Sequence, residues 1–433
     1  MLVSLLLLLL TSIPIQPGFD GDDVLKYGGH AYMYEFADYP AVPAPEGYKA
    51  FHISHYGRHG ARYNTEASCY DRVMDCLNAG KDSLGLTDLG KDLYKRYAVV
   101  YPLLKGHNGD LSNPGRWQQR MLADRMIDNY PEIFCGEPHI EASASIVHRV
   151  IVSMATFCCE IQRRISSAEI EMRSDYPEMS ICNPISDLNP YFNMGSSFQY
   201  CFEDGLDLYN RVQDFQKGKM HPEAFLSRIF TDERKAAEAF GDVYEVETSF
   251  FRTAVHMQCL DIDEDFLDMF DESELRGCFE GENLMQYVFH GSGVFCHDVY
   301  PSLTASLLED LIQDGENAVN GAGPTVRLRF GHDSVLASLL PLMRLNGFDV
   351  QEPDFDKVAD VWQLWQVPMA SNLQIVYFRN DDGDVLVRIL YNEKDAKTPL
   401  PQDLYPFYRW EDFKIYYNSV VTEAKQVLKD NSK

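Results

Sequence analysis

Two spacings of apolar side chains alternate along residues 48–175. Short runs with strand-like patterns, bounded by polar turns, predict strands at residues 48–54, 139–145 and 169–175. Apolar positions three and four residues apart predict helices at residues 86–97, 111–130 and 146–165. The first two helices each open on a Ser or Thr of the kind that caps a helix N-terminus. A chain in which strands and helices alternate in this way predicts an α/β fold.

The pattern changes at about residue 181. From there to residue 319 the chain has long, mostly helical stretches separated by acidic turns such as DIDEDFLDMFDESE. Strand patterns return with TVRLRF at 325–330, and then with LQIVYFRN and VLVRILYN, which flank an Asp-Asp-Gly-Asp turn and predict a hairpin. We therefore expect a mixed-sheet α/β core domain of residues 46–180 and 320–433. A mostly helical cap, residues 181–319, is expected to be inserted into it.

Length and charge limit the classes of function. A chain of 433 residues is long enough for one large domain or two of ordinary size. Its 66 acidic and 38 basic residues give a net charge of −28, which argues against nucleic-acid binding and against binding to anionic membranes. Any anionic ligand must therefore be held by a local pocket that works against the overall field of the protein.

The N-terminus and the cysteines suggest export. The apolar run from Leu2 to Leu10 is too short to span a bilayer and has the length of a signal-peptide core. We predict a signal peptide at residues 1–17 and a periplasmic or extracellular protein, with a buried N-terminal helix as the alternative. Ten cysteines suit an exported protein, and Cys69 and Cys76 are close enough in sequence to close a small disulfide loop. The pairing cannot be read from the sequence, and buried free thiols are the alternative for several of the ten. The sequence lacks the paired Cys or clustered Cys/His spacing of a zinc site.

The segment HISHYGRHGARY, residues 52–63, concentrates positive charge at the end of the first predicted strand. Guanidinium groups bind phosphate through charge-assisted, often bidentate hydrogen bonds, so Arg58 and Arg62 are candidate anion ligands. Gly60 has no Cβ, which allows a close approach of the backbone to a ligand or a strained turn. Between the two arginines, His59 should have a lowered pKa and be a neutral nucleophile at mildly acidic pH.

A second polar group, Gly331-His332-Asp333, follows TVRLRF and precedes the predicted helix SVLASLLPLM. Ligand sites in open α/β sheets lie beyond the carboxyl ends of strands, so this group and the Arg/His loop are expected to meet. Simpler interpretations stay open at this point: the loop is a solvated basic turn, and His332 and Asp333 only cap a helix. His52 and His55, which precede the loop at strand spacing, are expected in the core or behind the site.

HYGRHGARY resembles the R-H-G-x-R signature of the histidine acid phosphatases, the branch 2 group of the histidine phosphatase superfamily that includes phytases and multiple inositol polyphosphate phosphatases. LSNPG at 111–115 resembles the family's L-T-x-x-G helix start, and GHDSVLASL resembles its H-D motif. SIVHRVIVSMATF, residues 145–157, resembles the helix that carries a third arginine, here Arg149. The resemblance covers nearly the whole chain after the predicted signal peptide. The sequences of the segments HYGRHGARY, RFGHDS and PMASNLQIVYF most resemble those of bacterial inositol polyphosphate phosphatases.

The resemblance implies a role for each residue. His59 would attack phosphorus and form a phosphohistidine, and Asp333 would protonate the leaving alcohol. The ligands of the non-bridging oxygens would be Arg58, Arg62, Arg149 and His332. No metal and no cofactor would be required, because the arginines supply the positive charge. Arg149 also has a simpler interpretation, as a surface residue of its helix.

The expected partner is a small phosphorylated substrate. The resemblance implies inositol polyphosphates such as phytate, or related phosphate esters such as 2,3-bisphosphoglycerate. Two features depart from the family pattern. Animal inositol polyphosphate phosphatases have H-A-E where this chain has His332-Asp333, and the segment YNTEASCYDRV lacks the extra lysines expected of a highly charged phytate pocket. A broad-specificity acid phosphatase is therefore the alternative enzyme. A non-catalytic phosphate-ester-binding protein of the same fold is the alternative outside enzymes.

Overall fold

The structure is a computed structural model that describes residues 24–39, 42–189, 191 and 205–431. The predicted signal peptide at residues 1–17 lies outside the described residues. Within them, no helix combines the length and the apolar character needed to cross a membrane.

One mixed sheet organises the fold. Its strands are β1 Lys49–Arg58, β2 His139–Ala144, β3 Glu169–Arg173, β4 Val326–Gly331, β5 Asn372–Arg379, β6 Val385–Tyr391, β7 Lys394–Asp395 and β8 Phe407–Arg409. They lie in the order β3-β2-β4-β1-β5-β6-β7, and β8 pairs with β6. The pairs β2–β3, β2–β4 and β1–β4 are parallel, and β1–β5 and β5–β6 are antiparallel. The predicted mixed sheet and the predicted β5–β6 hairpin are both confirmed.

Helices surround the sheet and form a separate layer. They are α1 Ala67–Ala79, α2 Asp88–Leu104, α3 Asn113–Asn129, α4 His148–Arg164, α5 Met179–Cys182, α6 Gly205–Lys219, α7 Pro222–Ile229, α8 Glu233–Phe240, α9 Val243–His256, α10 Glu272–His290, α11 Val299–Leu303, α12 Ala305–Val319, α13 Asp333–Leu342, α14 Val358–Val361 and α15 Trp410–Asn431. Thr87 and Ser112 cap α2 and α3 by accepting hydrogen bonds from the N–H groups of Gly90 and Gly115. Both caps are the ones that the sequence predicts.

Two apolar clusters cover the faces of the sheet, and a third lies in the helical layer. Phe157 of α4 packs with Leu328 and Phe330 of β4 on one face, and Leu311 of α12 lies in the cluster on the other. In the third cluster, Tyr70 and Tyr97 of α1 and α2 pack with side chains of α7, α9 and α10. The cluster of the helical layer thus combines parts of the predicted insertion, 181–319, with two helices that precede it. The division into 46–180 with 320–433 and 181–319 stays a prediction.

One expected strand end is wrong, and of the two alternatives for Cys69 and Cys76 the structure has free thiols. Strand β1 was expected to end at Ser54, yet it continues to Arg58, because β4 and β5 flank it on both sides and supply hydrogen-bond partners to its end. Cys69 and Cys76 are both free, as are all nine described cysteines. The two lie on one helix, α1, where seven positions separate their Cα atoms by about 10 Å, too far for a disulfide.

Candidate active site

The parallel pairing of β1 with β4 brings the two polar motifs together. Arg58 is the register partner of Gly331, so both strands end at the same edge of the sheet. The backbone N–H of His59 donates to the carbonyl of Gly331 at 3.1 Å, which continues the pairing one residue past the strand. The loop after β1 and the start of α13 after β4 therefore form one site, as expected of the carboxyl edge of an α/β sheet.

The loop after β1 is held against the N-terminus of α3 by close backbone contact. Ser112 donates from both its N–H and its hydroxyl to the carbonyl of Ala61, at 2.9 and 3.0 Å. The N–H of Ala61 donates to the side chain of Gln118 at 2.8 Å. A Cβ on Gly60 would lie 2.3 Å from the carbonyl oxygen of Gly115, and a Cβ on Gly115 would lie 2.1 Å from that of Ala61. Both glycines are needed because the two backbones are in contact.

The imidazole of His59 is oriented by its own neighbour. Nδ1 lies 2.8 Å from the carbonyl oxygen of Gly60, and because a carbonyl only accepts, Nδ1 carries the proton. Nε2 is then the basic nitrogen. Burial, followed by the charges of Arg149 and Arg58, lowers the pKa of His59 well below its usual value. The ring is therefore neutral, with a lone pair on Nε2 that is available to attack an electrophile.

Three arginines provide positive charge that the described residues do not neutralise fully. Arg58 and Arg62 are both buried. Nη1 of Arg58 donates to the carbonyl of Val367 at 2.8 Å, and Nη1 of Arg62 donates to the carbonyl of Tyr63 at 3.0 Å. The Nε groups of Arg58, Arg62 and Arg149 are buried and have no hydrogen-bond partner among the described residues. Burial lowers the pKa of all three groups, that of Arg149 to about 10. Buried donors of this kind, all cationic, form a site for an anion.

His332 and Asp333 are both directed toward this site. The His332 ring lies 5.8 Å from the His59 ring, centroid to centroid, and its Nε2 is 3.0 Å from the hydroxyl of Ser145. Burial and the charge of Arg149 lower the pKa of His332 to about 3. Although His332 precedes α13, its side chain makes no capping hydrogen bond within the described chain. The interpretation of His332 as a helix cap is therefore wrong.

Asp333 is the first residue of α13 and pairs with an arginine of the loop. Its Oδ2 lies 2.9 Å from Nη2 of Arg58, and 27% of its side chain is exposed. Burial alone would raise the pKa of this carboxyl, but Arg58, His30, His59 and Arg62 together outweigh burial and hold the pKa well below its usual value. Asp333 is thus a carboxylate in contact with the anion site and with solvent.

The structure adds residues that sequence reasoning missed. The hydroxyl of Tyr56 accepts from the N–H of His332 at 3.2 Å and donates to the carbonyl of Cys182 at 2.9 Å, which fixes the start of α13. His256, at the end of α9, lies 3.4 Å from Arg62, and the His30 ring lies 5.4 Å from the His256 ring. Tyr56 lies inside the segment HISHYGRHGARY, but its residue type gives no sign of a contact with α13. His30 and His256 lie outside every motif, so the sequence held no signal for them.

The two histidines of β1 belong to the core. Nε2 of His52 lies 3.2 Å from Oδ2 of Asp314, on the side of the sheet that α12 covers. The His55 ring lies between Phe157 and Phe330, with centroid distances of 5.7 and 5.4 Å. The core placement expected for both is confirmed. Among the described residues, no cluster of three or more His, Cys, Asp or Glu side chains could hold a metal ion.

Comparison with known proteins matches part of the chain to a protein family. Residues 244–392 match the family model described as the histidine phosphatase superfamily (branch 2). The chain is also 22% identical over 328 residues to multiple inositol polyphosphate phosphatase 1 of Gallus gallus, an alignment that covers 72% of this chain and 69% of that protein. Residues 244–392 thus form a histidine phosphatase superfamily (branch 2) domain. This confirms the predicted family and the predicted enzyme class, a histidine acid phosphatase.

Solved structures share the fold of this histidine acid phosphatase. Multiple inositol polyphosphate phosphatase of Bifidobacterium longum, in complex with inositol hexasulfate, is similar with a TM-score of 0.72 at 15% identity, over 90% of this chain and 97% of that one. The phytase from D. castellii is similar with a TM-score of 0.63 at 13% identity, over 93% of this chain and 85% of that one. The predicted fold class, a mixed-sheet α/β structure with many helices, is confirmed.

Proposed function

We propose that this phosphatase hydrolyses phosphomonoesters through a phosphohistidine on Nε2 of His59, with inositol polyphosphates as its substrate class. The observation that carries the proposal is the position of a neutral imidazole, with Nε2 basic, among three arginines whose buried Nε groups lack partners among the described residues. The arginines would bind the non-bridging oxygens of a phosphate and stabilise the charge of the transition state. His332 would add a further contact to these oxygens.

The reaction has two steps. In the first, the lone pair of Nε2 forms a bond to phosphorus, the P–O ester bond breaks, and Asp333 gives its proton to the departing alkoxide. In the second, Asp333 accepts a proton from water, the water oxygen bonds to phosphorus, and the P–N bond breaks. Inorganic phosphate leaves, Asp333 releases its proton to solvent as the phosphate departs, and His59 and Asp333 return to their starting protonation states. The chain needs no metal in this scheme because the guanidinium groups supply the charge.

Asp333 begins as a carboxylate, so binding must make it an acid. A phosphate dianion next to Asp333 repels the carboxylate and competes for Arg58, and both effects raise the pKa of Asp333. The proton is therefore taken up as the substrate binds. The proposal thus explains why a proton donor is ion-paired with an arginine.

The substrate class rests on relatives. The relative from Gallus gallus is named for inositol polyphosphates, and the similar structure from Bifidobacterium longum contains inositol hexasulfate, the sulfate ester of the same polyol. The test is phosphate release, in excess EDTA, from phytate, 2,3-bisphosphoglycerate, sugar phosphates and aryl phosphates. We expect turnover in EDTA, with the highest kcat/KM on phytate. Equal kcat/KM values on all substrates would indicate a broad-specificity acid phosphatase. Phosphate binding without turnover would indicate a non-catalytic binding protein.

The covalent step is tested by substitution of the nucleophile. We expect rapid quenching to trap an acid-labile phosphoryl group on the peptide that contains Arg58–Arg62. His59→Ala should abolish both the label and the turnover while circular dichroism shows an intact fold. His139→Ala is the matched control. His139 is the first residue of β2 and lies at the amino ends of the parallel strands, away from the site, so this variant should leave the label and the turnover unchanged. Turnover of His59→Ala within tenfold of the parent would show that another group attacks.

We also propose that the enzyme is exported to the periplasm or the medium. The support is the apolar run from Leu2 to Leu10, which has the length of a signal-peptide core. Mass spectrometry of the protein expressed from its full reading frame should find a mature N-terminus near residue 17. A mature protein that retains residues 1–17 in the cytoplasm would contradict export.

A further inference from the structure

A buried histidine of the helical layer contacts the phosphate site from behind. His256 is the last residue of α9, and 1% of its surface is exposed. Its Nδ1 lies 2.8 Å from the carbonyl oxygen of Arg252, and because this oxygen only accepts, Nδ1 carries the proton. The lone pair of Nε2 is then directed at Nη1 of Arg62, 3.4 Å away.

This contact uses one specific side of the Arg62 guanidinium. Nη1 has two N–H bonds: one donates to the carbonyl of Tyr63 at 3.0 Å, and the other is available to His256. The Nε of Arg62 is buried without a partner among the described residues. With Nη1 held by two acceptors, the Nε–Nη2 edge is the one left to bind phosphate through two parallel hydrogen bonds.

We propose that His256 is a positioning residue for Arg62, which it orients by accepting a hydrogen bond from Nη1. The role requires a neutral ring, because a protonated imidazole has no acceptor and would repel the guanidinium. Burial and the charge of Arg62 lower the pKa of His256 well below its usual value. Its other charged neighbour, Arg252, is ion-paired with Glu66 and Glu282 at 2.6 Å each. His256 thereby makes the orientation of a phosphate ligand depend on the helical layer.

Two substitutions separate the acceptor from the rest of the side chain. In His256→Asn, the amide can still donate to the carbonyl of Arg252, but no atom occupies the position of Nε2. In His256→Gln, the longer amide can place an oxygen near Arg62. Loss of a hydrogen bond to a charged group lowers a binding constant or a rate constant about 10–100-fold. We therefore expect His256→Asn to lower kcat/KM and to weaken inorganic phosphate binding about 10–100-fold, and His256→Gln to remain within about threefold of the parent.

A double-mutant cycle excludes a merely structural effect. If His256 acts through Arg62, then His256→Asn should weaken phosphate binding in the parent and have no further effect in the Arg62→Ala background, by isothermal titration calorimetry. Equal losses in the two backgrounds would overturn the proposal, as would a His256→Asn variant that binds phosphate like the parent. If His256→Asn does not fold, His256→Leu replaces it with the same expected loss relative to His256→Gln.

The inference rests on the proposed function, and the two can fail separately. A parent protein that binds phosphate but does not turn over esters would contradict the proposed function. The binding cycle with inorganic phosphate would still decide whether His256 positions Arg62.

Discussion

At the scale of a single residue, the carboxyl of Asp333 has two partners that favour different protonation states, namely Arg58 and the leaving group of the substrate. Arg58, 2.9 Å away, favours the charged form, whereas the proposed leaving group needs the proton of the neutral form. How much this proton matters depends on the alcohol that departs. An inositol or sugar alkoxide is a poor leaving group, and a nitrophenolate leaves without assistance. Substrates with different leaving groups therefore separate the role of Asp333 from that of its neighbours.

The role of Asp333 is tested by Asp333→Asn. General acid catalysis contributes roughly 10²–10⁴-fold, so the variant should lose about that factor in kcat/KM on alkyl phosphates and far less on nitrophenyl phosphate. His332→Ala is the matched comparison. It removes the proposed contact to a non-bridging oxygen of the phosphate, so it should lower kcat/KM on alkyl phosphates and on nitrophenyl phosphate by similar factors. An Asp333→Asn variant that loses equally on both substrates would assign the proton to another group.

Residues that a motif specifies were predictable, and isolated residues were not. Arg58, His59 and Arg62 follow from one short segment whose residue types suit phosphate chemistry. Arg149 followed only from the resemblance, because a lone arginine on an amphipathic helix has no distinguishing pattern. His256 follows from neither, since its role depends on where the C-terminus of α9 lies relative to Arg62, a tertiary contact.

The elements that carry the site are positioned by contact of one backbone with another. The loop after β1 contacts the first turn of α3 so closely that neither Gly60 nor Gly115 has room for a Cβ. This contact, together with the hydrogen bonds of Ser112 and Gln118 to Ala61, fixes the position of His59 relative to α3. An extra methyl group here must move the loop, the helix or both.

We therefore expect Gly115→Ala to affect stability and catalysis together. Its Cβ would lie 2.1 Å from the Ala61 carbonyl, and overpacking of this kind typically costs about 1–3 kcal/mol in the free energy of unfolding. The kcat should fall as well, because the shifted loop carries His59. Urea unfolding and steady-state kinetics measure the two effects.

Gly218→Ala is the matched control for this substitution. Gly218 lies within α6, and a Cβ there would have no neighbour within 4 Å. Alanine should leave kcat unchanged and should not lower the free energy of unfolding. A Gly115→Ala variant as stable and as active as Gly218→Ala would show that the loop and α3 can separate at little cost.

At the same scale, the sequence predicted element types better than element ends. The caps Thr87 and Ser112 have a local chemical signal, and α2 and α3 begin next to them as expected. The end of β1 has no such signal. Its last residues, up to Arg58, are kept extended by β4 and β5, which follow much later in the chain.

The whole molecule contains a buried carboxyl whose ionisation bears on its pH range. Glu247 lies inside the helical layer with one oxygen, Oε2, unpartnered among the described residues. Burial, together with the nearby Glu274, raises the pKa of Glu247 to about 7. Between the usual value of 4.5 and about 7, the folded protein holds a proton that the unfolded chain has lost. Stability from this group is therefore full in acid and declines as the pH rises through this window.

The prediction is a pH-dependent stability difference between the parent and Glu247→Gln. A rise of about 2.5 pH units corresponds to a contribution on the order of 3 kcal/mol, so the variant should gain that much relative to the parent between pH 4.5 and pH 8. Urea unfolding at several pH values measures this gain. Glu238→Gln, an exposed site on α8, is the control and should show a constant difference. A constant difference for Glu247→Gln would show that Glu247 is ionised throughout.

The three arginines also tie the folding equilibrium to the surrounding anions. A ligand that binds only the folded state stabilises it by RT ln(1 + [L]/Kd), about 2.7 kcal/mol at a hundred times Kd. Under the proposed function, inorganic phosphate would bind to the same buried Nε groups as the phosphate of a substrate. The product would then be both a stabiliser and a competitor. As hydrolysis proceeds, the accumulating phosphate would make the enzyme harder to unfold and slower to turn over, so the reaction would limit itself.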